Sequence, residues 1–269
     1  MTFRAVLATK DGEKISTDLA ELEEKDLMPG DVTISVDFST VNYKDGVALT
    51  GRAPIFRTLP MIPGIDLSGT VEASSHLGIE VGDEVVANGW GLSQTHHGGY
   101  AQRAKLSGEW LVKIPAPLST WDSMAIGTAG HTAMLSVLAL EHGGITPGCG
   151  DILVTGASGG VGSIAIALLS DLGYRVVAST GRFEEGDYLR MLGAADIIDR
   201  HTTELRRPRN EAVENCRRRL RSKSSRPRLQ ARRSERLQMS PRQSSERSSP
   251  HRPAARFVLG NCRSTGFAR

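Results

Sequence analysis

The first 120 residues contain short runs rich in Val, Ile and Thr that are separated by Gly and Pro, a pattern typical of β-strands. The runs predict strands at residues 3–9, 31–42, 68–74, 82–89 and 108–115. Short strands at this spacing indicate a small barrel-like β unit.

The spacing of apolar residues becomes helical near residue 120. Ser119 or Thr120 can cap a first helix, which Gly143 and Gly144 end. From residue 151 short apolar runs alternate with helical patterns, and this order predicts a parallel sheet with crossover helices. The strands are expected at 151–155, 174–180 and 195–199, and a helix at 184–194. The helix between the first two strands is expected to bury Val161, Ile164, Ala165, Leu168, Leu169 and Leu172.

Residues 201–269 differ in composition from the rest of the chain. They hold eighteen Arg, one Lys, five Glu and no Asp, so this segment is about +14 and residues 1–200 about −11. A shifted reading frame near codon 200 is one hypothesis, favoured by the excess of Arg over Lys. A disordered basic tail that binds nucleic acid through phosphates is the other. The only aromatic residues here are Phe257 and Phe267, which weakens base stacking, so nucleic acid is not the expected partner.

The position of this change has an expected consequence for the parallel sheet. In the usual strand order the first strand lies between the second and the fourth. Without a fourth strand, residues 151–155 would form an open edge with a partly bare face. Each apolar side chain left in water forfeits roughly 1.5–3 kcal/mol, against a total stability of about 5–15 kcal/mol. We therefore expect the chain to fold poorly, or to keep only its β domain, and to have little activity.

The cysteines and the hydropathy of the chain indicate in which cellular compartment the protein is expected. The three cysteines, Cys149, Cys216 and Cys262, form no CxxC pair, which favours a reducing compartment and argues against a cysteine-rich zinc site. No run of eighteen apolar residues occurs, and the N-terminus lacks a charged region followed by an apolar one. A cytoplasmic protein without a membrane partner is expected.

A glycine motif lies between the first predicted strand and helix of the parallel sheet. It reads Ala157-x-Gly159-x-x-Gly162 within "VTGASGGVGS". Small residues there permit a tight turn, the approach of a pyrophosphate and close packing of helix on strand, and the helix N-terminus attracts the anion. A plain strand-to-helix turn is the alternative. The context predicts a dinucleotide site.

The end of the second strand of this sheet predicts which dinucleotide binds. NAD-binding proteins place an acidic residue there for the ribose hydroxyls, whereas this chain reads "STGR" at 179–182, with no carboxylate before Glu184. An acid would repel a 2′-phosphate, while Arg182 can pair with it. NADPH is therefore the predicted cofactor. The alternative is that Arg182 is only a solvated loop charge.

Several stretches resemble the zinc-free, quinone-oxidoreductase-like branch of the medium-chain dehydrogenase/reductase family, and within it the acryloyl-CoA reductase group. They are "NYKDGVALTG", "PMIPGIDLSGTV", "GWGLSQTHHGGYAQ", "IGTAGHTAM", "VTGASGGVGS" and "STGR". The resemblance covers residues 1–200. It implies an α/β protein with a GroES-like β domain at 1–120 and an incomplete Rossmann, NADPH-binding domain (a doubly wound parallel sheet) at 121–200. Residues 201–269 would then form a basic tail that is expected to be frameshifted and disordered.

The resemblance also implies site residues. Tyr43 corresponds to a cofactor-contacting position, and its hydroxyl is the candidate for orienting or protonating substrate. Asp45 would position a water or Lys44, or form a surface ion pair with Lys44. The segment 127–132 would lie near the nicotinamide, with His131 more often structural than catalytic. The residues expected to bind the phosphates and the adenosine 2′-phosphate are Ser158, Gly159, Gly160, Val161, Thr180, Gly181 and Arg182.

No metal is expected. Zinc-using relatives place a cysteine near Asn42 and a Gly-His-Glu where this chain has Gly64-Ile65-Asp66, so the thiolate and imidazole ligands that zinc prefers are missing. His96 and His97 are adjacent and point to opposite sides of an extended chain. We expect both to be loop or surface residues.

The resemblance predicts NADPH-dependent reduction of an activated carbon–carbon double bond, as in the conversion of acryloyl-CoA to propionyl-CoA. The alternative enzyme is an NADPH:quinone reductase, with a quinone in place of the acyl-CoA thioester. The alternative of another class is an inactive fragment with a basic nucleic-acid-binding tail. A homodimer is expected for an intact family member.

Overall fold

The structure is a computed structural model that describes residues 1–12 and 14–201, together with the backbone of residues 257–259. The first half forms a hairpin and a five-stranded antiparallel sheet. The hairpin consists of β1 (Thr2–Asp11) and β2 (Lys14–Glu23). The sheet, in the order β6-β3-β4-β5-β7, consists of β3 (Val32–Phe38), β4 (Asp66–Ser74), β5 (Glu84–Asn88), β6 (Arg103–Leu106) and β7 (Val112–Lys113). A short helix, α1 (Tyr43–Leu49), follows β3.

The strands predicted near the chain start, at 31–42, 68–74 and 82–89, are confirmed as β1, β3, β4 and β5. The run at 108–115 yields only the two residues of β7, because residues Gly108–Trp110 form a 3₁₀ turn. The sequence pattern missed β2, β6 and α1. Most of β2 is exposed or half-buried, so its side chains carry little apolar alternation.

The second half alternates helices with the strands of a parallel sheet. Its elements are α2 (Thr120–His142), β8 (Ile152–Thr155), α3 (Gly160–Asp171), β9 (Val176–Thr180), α4 (Gly186–Met191) and β10 (Ala194–Asp199). Strand β9 lies between β8 and β10, and both pairings are parallel. This is the predicted Rossmann part, so the mixed α/β fold class is confirmed.

The buried face of α3 differs from the predicted one at its end. Ala165, Ile166 and Leu169 are buried in the core of the parallel sheet. Leu172, which the periodicity assigned to that face, is 42% exposed. The helix ends at Asp171 and Gly173 takes a positive φ of 83°, so the chain turns away before Leu172 can reach the core.

The predicted open edge at β8 is wrong. A three-residue strand, β11 (Phe257–Leu259), pairs with β8 in parallel, with Phe257 opposite Ile152 and Leu259 opposite Val154. The physical reason is the row of unpaired backbone groups that a lone β8 edge presents, which a short apolar run can satisfy. The other residues of the predicted tail, 202–256 and 260–269, lie outside the described residues.

Helix α2 links the two sheets and is broken near its start. Gly127 has φ 49° and ψ −164°, so two helical segments meet there at a kink. The helix is long and apolar enough to cross a membrane by length and composition alone, the one such helix within the described ranges. Ala133 and Val137 are buried in the core of the parallel sheet, so one face of α2 packs on that sheet, while Leu135 and Leu138 of another face are 56% and 46% exposed.

Candidate dinucleotide site

The loop between β8 and α3 has the geometry of a phosphate-binding turn. Gly156 follows β8 with φ 62°, Ala157 is fully buried, and Gly159 is the residue before the first helical position of α3. The N–H groups of the first helical turn have no partner within the helix. They are therefore available to an anion, which the helix dipole also attracts.

Gly162 is required by space, and Gly156, with its φ of 62°, by conformation. A Cβ on Gly162 would collide with the carbonyl oxygen of Gly156 and lie 2.8 Å from the Cα of Ala157. A Cβ on Gly160 would lie 3.4 Å from the Cβ of Ala129 on α2. Helix α3 thus packs directly on the turn after β8, and the loop backbone remains accessible to a pyrophosphate. These residues fit a dinucleotide.

The structure brings Ser158, Thr180 and Arg182 together. The Ser158 hydroxyl lies 2.9 Å from the Thr180 hydroxyl. The Arg182 backbone N–H donates to Thr180 Oγ1 at 3.0 Å, and its guanidinium donates from Nη2 to the Ser158 carbonyl oxygen at 2.8 Å. Arg182 is therefore an exposed side chain that is also bonded to the phosphate loop, and not only a solvated charge.

A second guanidinium at this place was missed by sequence reasoning. A Cβ on Gly181 would collide with Nε of Arg200 and lie 2.9 Å from Nε2 of His201. The Arg200 backbone N–H donates to the Thr180 carbonyl oxygen at 2.9 Å. Arg200 directly follows β10, and the carboxyl ends of parallel strands meet at one edge of the sheet. Its position after the third predicted strand was the available signal.

Asp66 is the centre of a buried polar cluster between β4 and α2. Its carboxylate accepts hydrogen bonds from the side-chain amides of Asn42 at 2.8 Å and Asn88 at 2.9 Å. It also accepts from the backbone N–H of Thr128 at 2.9 Å and from the Thr128 hydroxyl. In the sequence analysis Asp66 appeared only as part of Gly64-Ile65-Asp66, where zinc-using relatives have Gly-His-Glu. Its role as the acceptor of these hydrogen bonds was missed.

Asp45 is buried, and the expected surface ion pair with Lys44 is wrong. One carboxylate oxygen accepts from the Asn42 backbone N–H at 2.9 Å, and the other accepts from the Ile65 backbone N–H at 3.1 Å. Asp45 is thus held inward at the start of α1. Burial raises the pKa of Asp45 and lowers the pKa of Lys44.

Tyr43 occupies the first position of α1 and is 88% exposed. It directly follows Asn42, whose side chain is bonded to Asp66. The phenol is therefore accessible to a ligand. Its contact with a cofactor and its role in proton transfer stay predictions.

The adjacent histidines lie in a loop, as predicted, and both are buried there. His97 Nδ1 accepts from the Ile62 backbone N–H at 3.1 Å, and His96 Nε2 lies 3.1 Å from the Pro29 carbonyl oxygen. Burial, and then the neighbouring His96, lower the pKa of His97. Among the described residues, no group of three or more His, Cys, Asp or Glu side chains could hold a metal ion.

An apolar cavity of about 320 Å³ lies between β5, the segment after β7 and α2. Asn88 and Gly127, both beside Asp66, border it together with His131. Its apolar lining comes from Val86, Ile114, Leu118, Ile126, Met134 and Leu135. The cavity therefore lies on the β5 side of the α2 kink, in contact with the polar cluster.

Comparison with known proteins agrees with this geometry. Residues 28–116 match the family described as alcohol dehydrogenase GroES-like domain. Over 200 residues the chain is 50% identical to the acrylyl-CoA reductase AcuI of Ruegeria pomeroyi. The aligned region covers 74% of this chain and 61% of that relative. The chain is 44% identical over 198 residues to Bacillus subtilis YhfP, named as a quinone oxidoreductase, with 74% and 60% covered. The chain thus spans about three fifths of the length of these relatives.

Two solved structures have the same fold. The yhdH oxidoreductase of Salmonella enterica, in complex with NADP, matches with a TM-score of 0.73 at 50% sequence identity. The match covers 75% of this chain and 61% of the yhdH chain. The B. subtilis protein yhfP, with NAD bound, matches with a TM-score of 0.72 at 44% sequence identity. The match covers 75% of this chain and 61% of the yhfP chain. In fold, in the dinucleotide loop and in these relatives, residues 1–200 are similar to the medium-chain dehydrogenase/reductase family, in its quinone-oxidoreductase-like branch.

Proposed function

We propose that this chain is built to bind NADPH and to reduce the activated carbon–carbon double bond of an α,β-unsaturated acyl-CoA thioester such as acryloyl-CoA. The observation that supports the coenzyme is the end of β9, where Arg182 and Arg200 flank Gly181 and no carboxylate takes the place of the ribose ligand. Two guanidinium groups at this edge favour a 2′-phosphate. The 50% identity to an acrylyl-CoA reductase supports the substrate class.

Different residues are proposed to bind the phosphates of the coenzyme and the acceptor. The first turn of α3, with Ser158 to Val161, would bind the pyrophosphate, and Thr180 to Arg182 the adenosine 2′-phosphate. Bound NADPH supplies the hydride that the β-carbon of the acceptor receives. Tyr43 would orient the acceptor or protonate its α-carbon, and hydrogen bonds would stabilise the enolate between these steps.

We propose that this reduction needs no zinc. The carbonyl group of a conjugated thioester takes up the charge that a metal stabilises in alcohol oxidation. At the positions of the zinc ligands in other family members, Asn42 and Asp66 are hydrogen-bonded to each other. A carboxamide already committed to a carboxylate is a poor substitute for a thiolate ligand.

Two further candidates keep the same coenzyme site. A quinone reductase differs only in the acceptor, and the name of the 44% identical YhfP favours it. A fragment without turnover is the candidate of another class, since the chain spans three fifths of its relatives. We also propose a domain boundary near residue 120, a cytoplasmic location and, for an intact family member, a homodimer.

Oxidation of NADPH by the purified chain, with acryloyl-CoA and with a quinone as separate acceptors, tests the proposal. Faster oxidation with acryloyl-CoA supports the thioester reductase, and faster oxidation with the quinone supports the second enzyme. Binding of NADPH without oxidation by either acceptor supports the fragment. Equal binding of NADH and NADPH, or binding of neither, contradicts the proposed coenzyme site.

A further inference from the structure

Glu185 forms an ion pair with the side chain that is assigned to the 2′-phosphate. The Glu185 carboxylate lies 3.0 Å from Nη1 of Arg182. It belongs to the 3₁₀ turn Phe183–Glu185, whose backbone is closed by a hydrogen bond from the Glu185 N–H to the Arg182 carbonyl oxygen at 3.1 Å. The acid is therefore held beside the guanidinium by the local chain.

The donors of Arg182 are only partly available. A guanidinium has five N–H groups. Arg182 donates one from Nη2 to the Ser158 carbonyl oxygen at 2.8 Å and one from Nε to the Ser158 hydroxyl at 3.3 Å, while Nη1 lies 3.0 Å from the Glu185 carboxylate as an ion pair. At least one N–H on each terminal nitrogen remains for a phosphate, so a ligand can bind without displacing Glu185.

A phosphate bound to these remaining donors would be close to a second anion. Charge-assisted hydrogen bonds to Arg are about 2.7–2.9 Å long. A phosphate oxygen on Nη1 would therefore share that nitrogen with the Glu185 carboxylate, and the two anions would repel each other. Glu185 therefore weakens the binding of a 2′-phosphate at Nη1 of Arg182, the same nitrogen that attracts the phosphate.

We propose that Glu185 is a specificity-determining residue that moderates the preference of this site for 2′-phosphorylated coenzyme. The inference rests on the proposed coenzyme site and deepens it. An unphosphorylated ribose carries no charge next to Arg182, so its binding does not depend on the Glu185 charge. The two similar proteins solved with NADP and with NAD show that both coenzymes occur on this fold.

Titration calorimetry of the full chain with adenosine 2′,5′-bisphosphate and with 5′-AMP tests the inference. Both probes need only the adenosine half of the site, which β8, α3 and β9 form. For Glu185→Gln we expect a dissociation constant for the bisphosphate about twofold to fivefold lower than that of the parent chain, because partly exposed ion pairs have effects of this size. The constant for 5′-AMP is expected to stay the same.

Glu184→Gln is the matched control. Glu184 is the preceding residue, is exposed, and loses the same charge in the variant. Equal effects of Glu184→Gln and Glu185→Gln would overturn the inference, since long-range charge alone would then explain them. In an Arg182→Ala background, which removes the nitrogen that both anions share, Glu185→Gln should tighten bisphosphate binding less than it does in the parent chain. Equal tightening in the two backgrounds would also overturn the inference.

The outcomes separate this inference from the proposed coenzyme site. Bisphosphate bound by the parent chain, with no change in Glu185→Gln, overturns the role of Glu185 and leaves the coenzyme site intact. No binding of either probe by the folded parent chain overturns both. Should Glu185→Gln fail to fold, Glu185→Asp withdraws the carboxylate by one methylene and is expected to tighten bisphosphate binding in the same direction.

Discussion

The carboxylate of Asp66 accepts a hydrogen bond from the backbone N–H of Thr128 at 2.9 Å. Thr128 is the first residue after the kink at Gly127, so Asp66, a residue of β4, caps the second segment of α2. A Cβ on Gly127 would lie 3.3 Å from the same carboxylate oxygen. The antiparallel sheet and the helix that leads into the parallel sheet are thus joined by one buried carboxylate.

This connection predicts that Asp66→Asn destabilises the chain. The substitution turns one acceptor oxygen into an NH₂ group. In place of Oδ2 this group faces the N–H donors of Asn42 and Thr128, and in place of Oδ1 it faces the Asn88 amide and the Thr128 hydroxyl. A buried donor without an acceptor costs about 1–3 kcal/mol, so we expect the free energy of unfolding in urea to fall by at least about 2 kcal/mol. Asp11→Asn, at an exposed position, is the control and should change it little. Equal stability of the two variants would contradict the capping role.

Close packing of α3 on the phosphate loop predicts the effect of Gly162→Ala. The added methyl group would meet the backbone of Gly156 and Ala157, and backbone cannot move aside as a flexible side chain can. Overpacking of this kind costs about 1–3 kcal/mol, and we expect binding of adenosine 2′,5′-bisphosphate to be lost. Gly46→Ala in α1 is the control, because a Cβ there meets nothing within 4 Å. It should keep full binding in calorimetry.

The position of the Arg200 guanidinium predicts that this residue also contributes to 2′-phosphate binding. Its guanidinium packs over Gly181 at the end of β9, and a hydrogen bond to a charged group contributes about 1.5–3 kcal/mol. We expect Arg200→Ala to weaken the bisphosphate about tenfold or more and to leave 5′-AMP unchanged. Arg190→Ala removes an equal charge from α4, where Arg190 pairs with Asp187. Equal losses in both variants would show that net charge, and not position, is responsible.

Buried His97 predicts that stability falls in mild acid. Its pKa is lowered from the ordinary value of 6.5 in the folded chain, so between the two values the unfolded chain binds more protons. Stability is therefore complete above about pH 6.5 and is lost as the pH falls toward the lowered pKa, by up to about 1.4 kcal/mol per pH unit for one group. His97→Asn, which keeps an acceptor for the Ile62 N–H, should flatten this dependence.

Urea unfolding at several pH values between 5 and 8 measures this slope. His142→Asn is the control, since His142 is exposed at the end of α2 and should leave the slope as it is. A slope that stays unchanged in His97→Asn would contradict the assignment of the acid sensitivity to His97.

Local patterns predicted the parallel part of the fold well. Alternation of short apolar runs with helical spacing placed β8, α3, β9, α4 and β10, because the amphipathic period of an element depends on which of its faces is buried. The glycine spacing placed the phosphate loop, since small residues are needed wherever helix and strand meet closely. Elements with weak apolar alternation, such as β2, carried no such signal.

The sequence by itself determined the order of strands and helices from α2 to β10, the glycine turn after β8 and the presence of Arg182 where an acid would otherwise stand. Only the tertiary structure decided that Asp45 and Asp66 are buried, that Arg200 lies over Gly181 and that Phe257–Leu259 pairs with β8. Each of these depends on contacts between residues far apart in the chain. Hydrophobic period and local turn chemistry report which face of an element is buried, and they contain no information on which distant group will meet it.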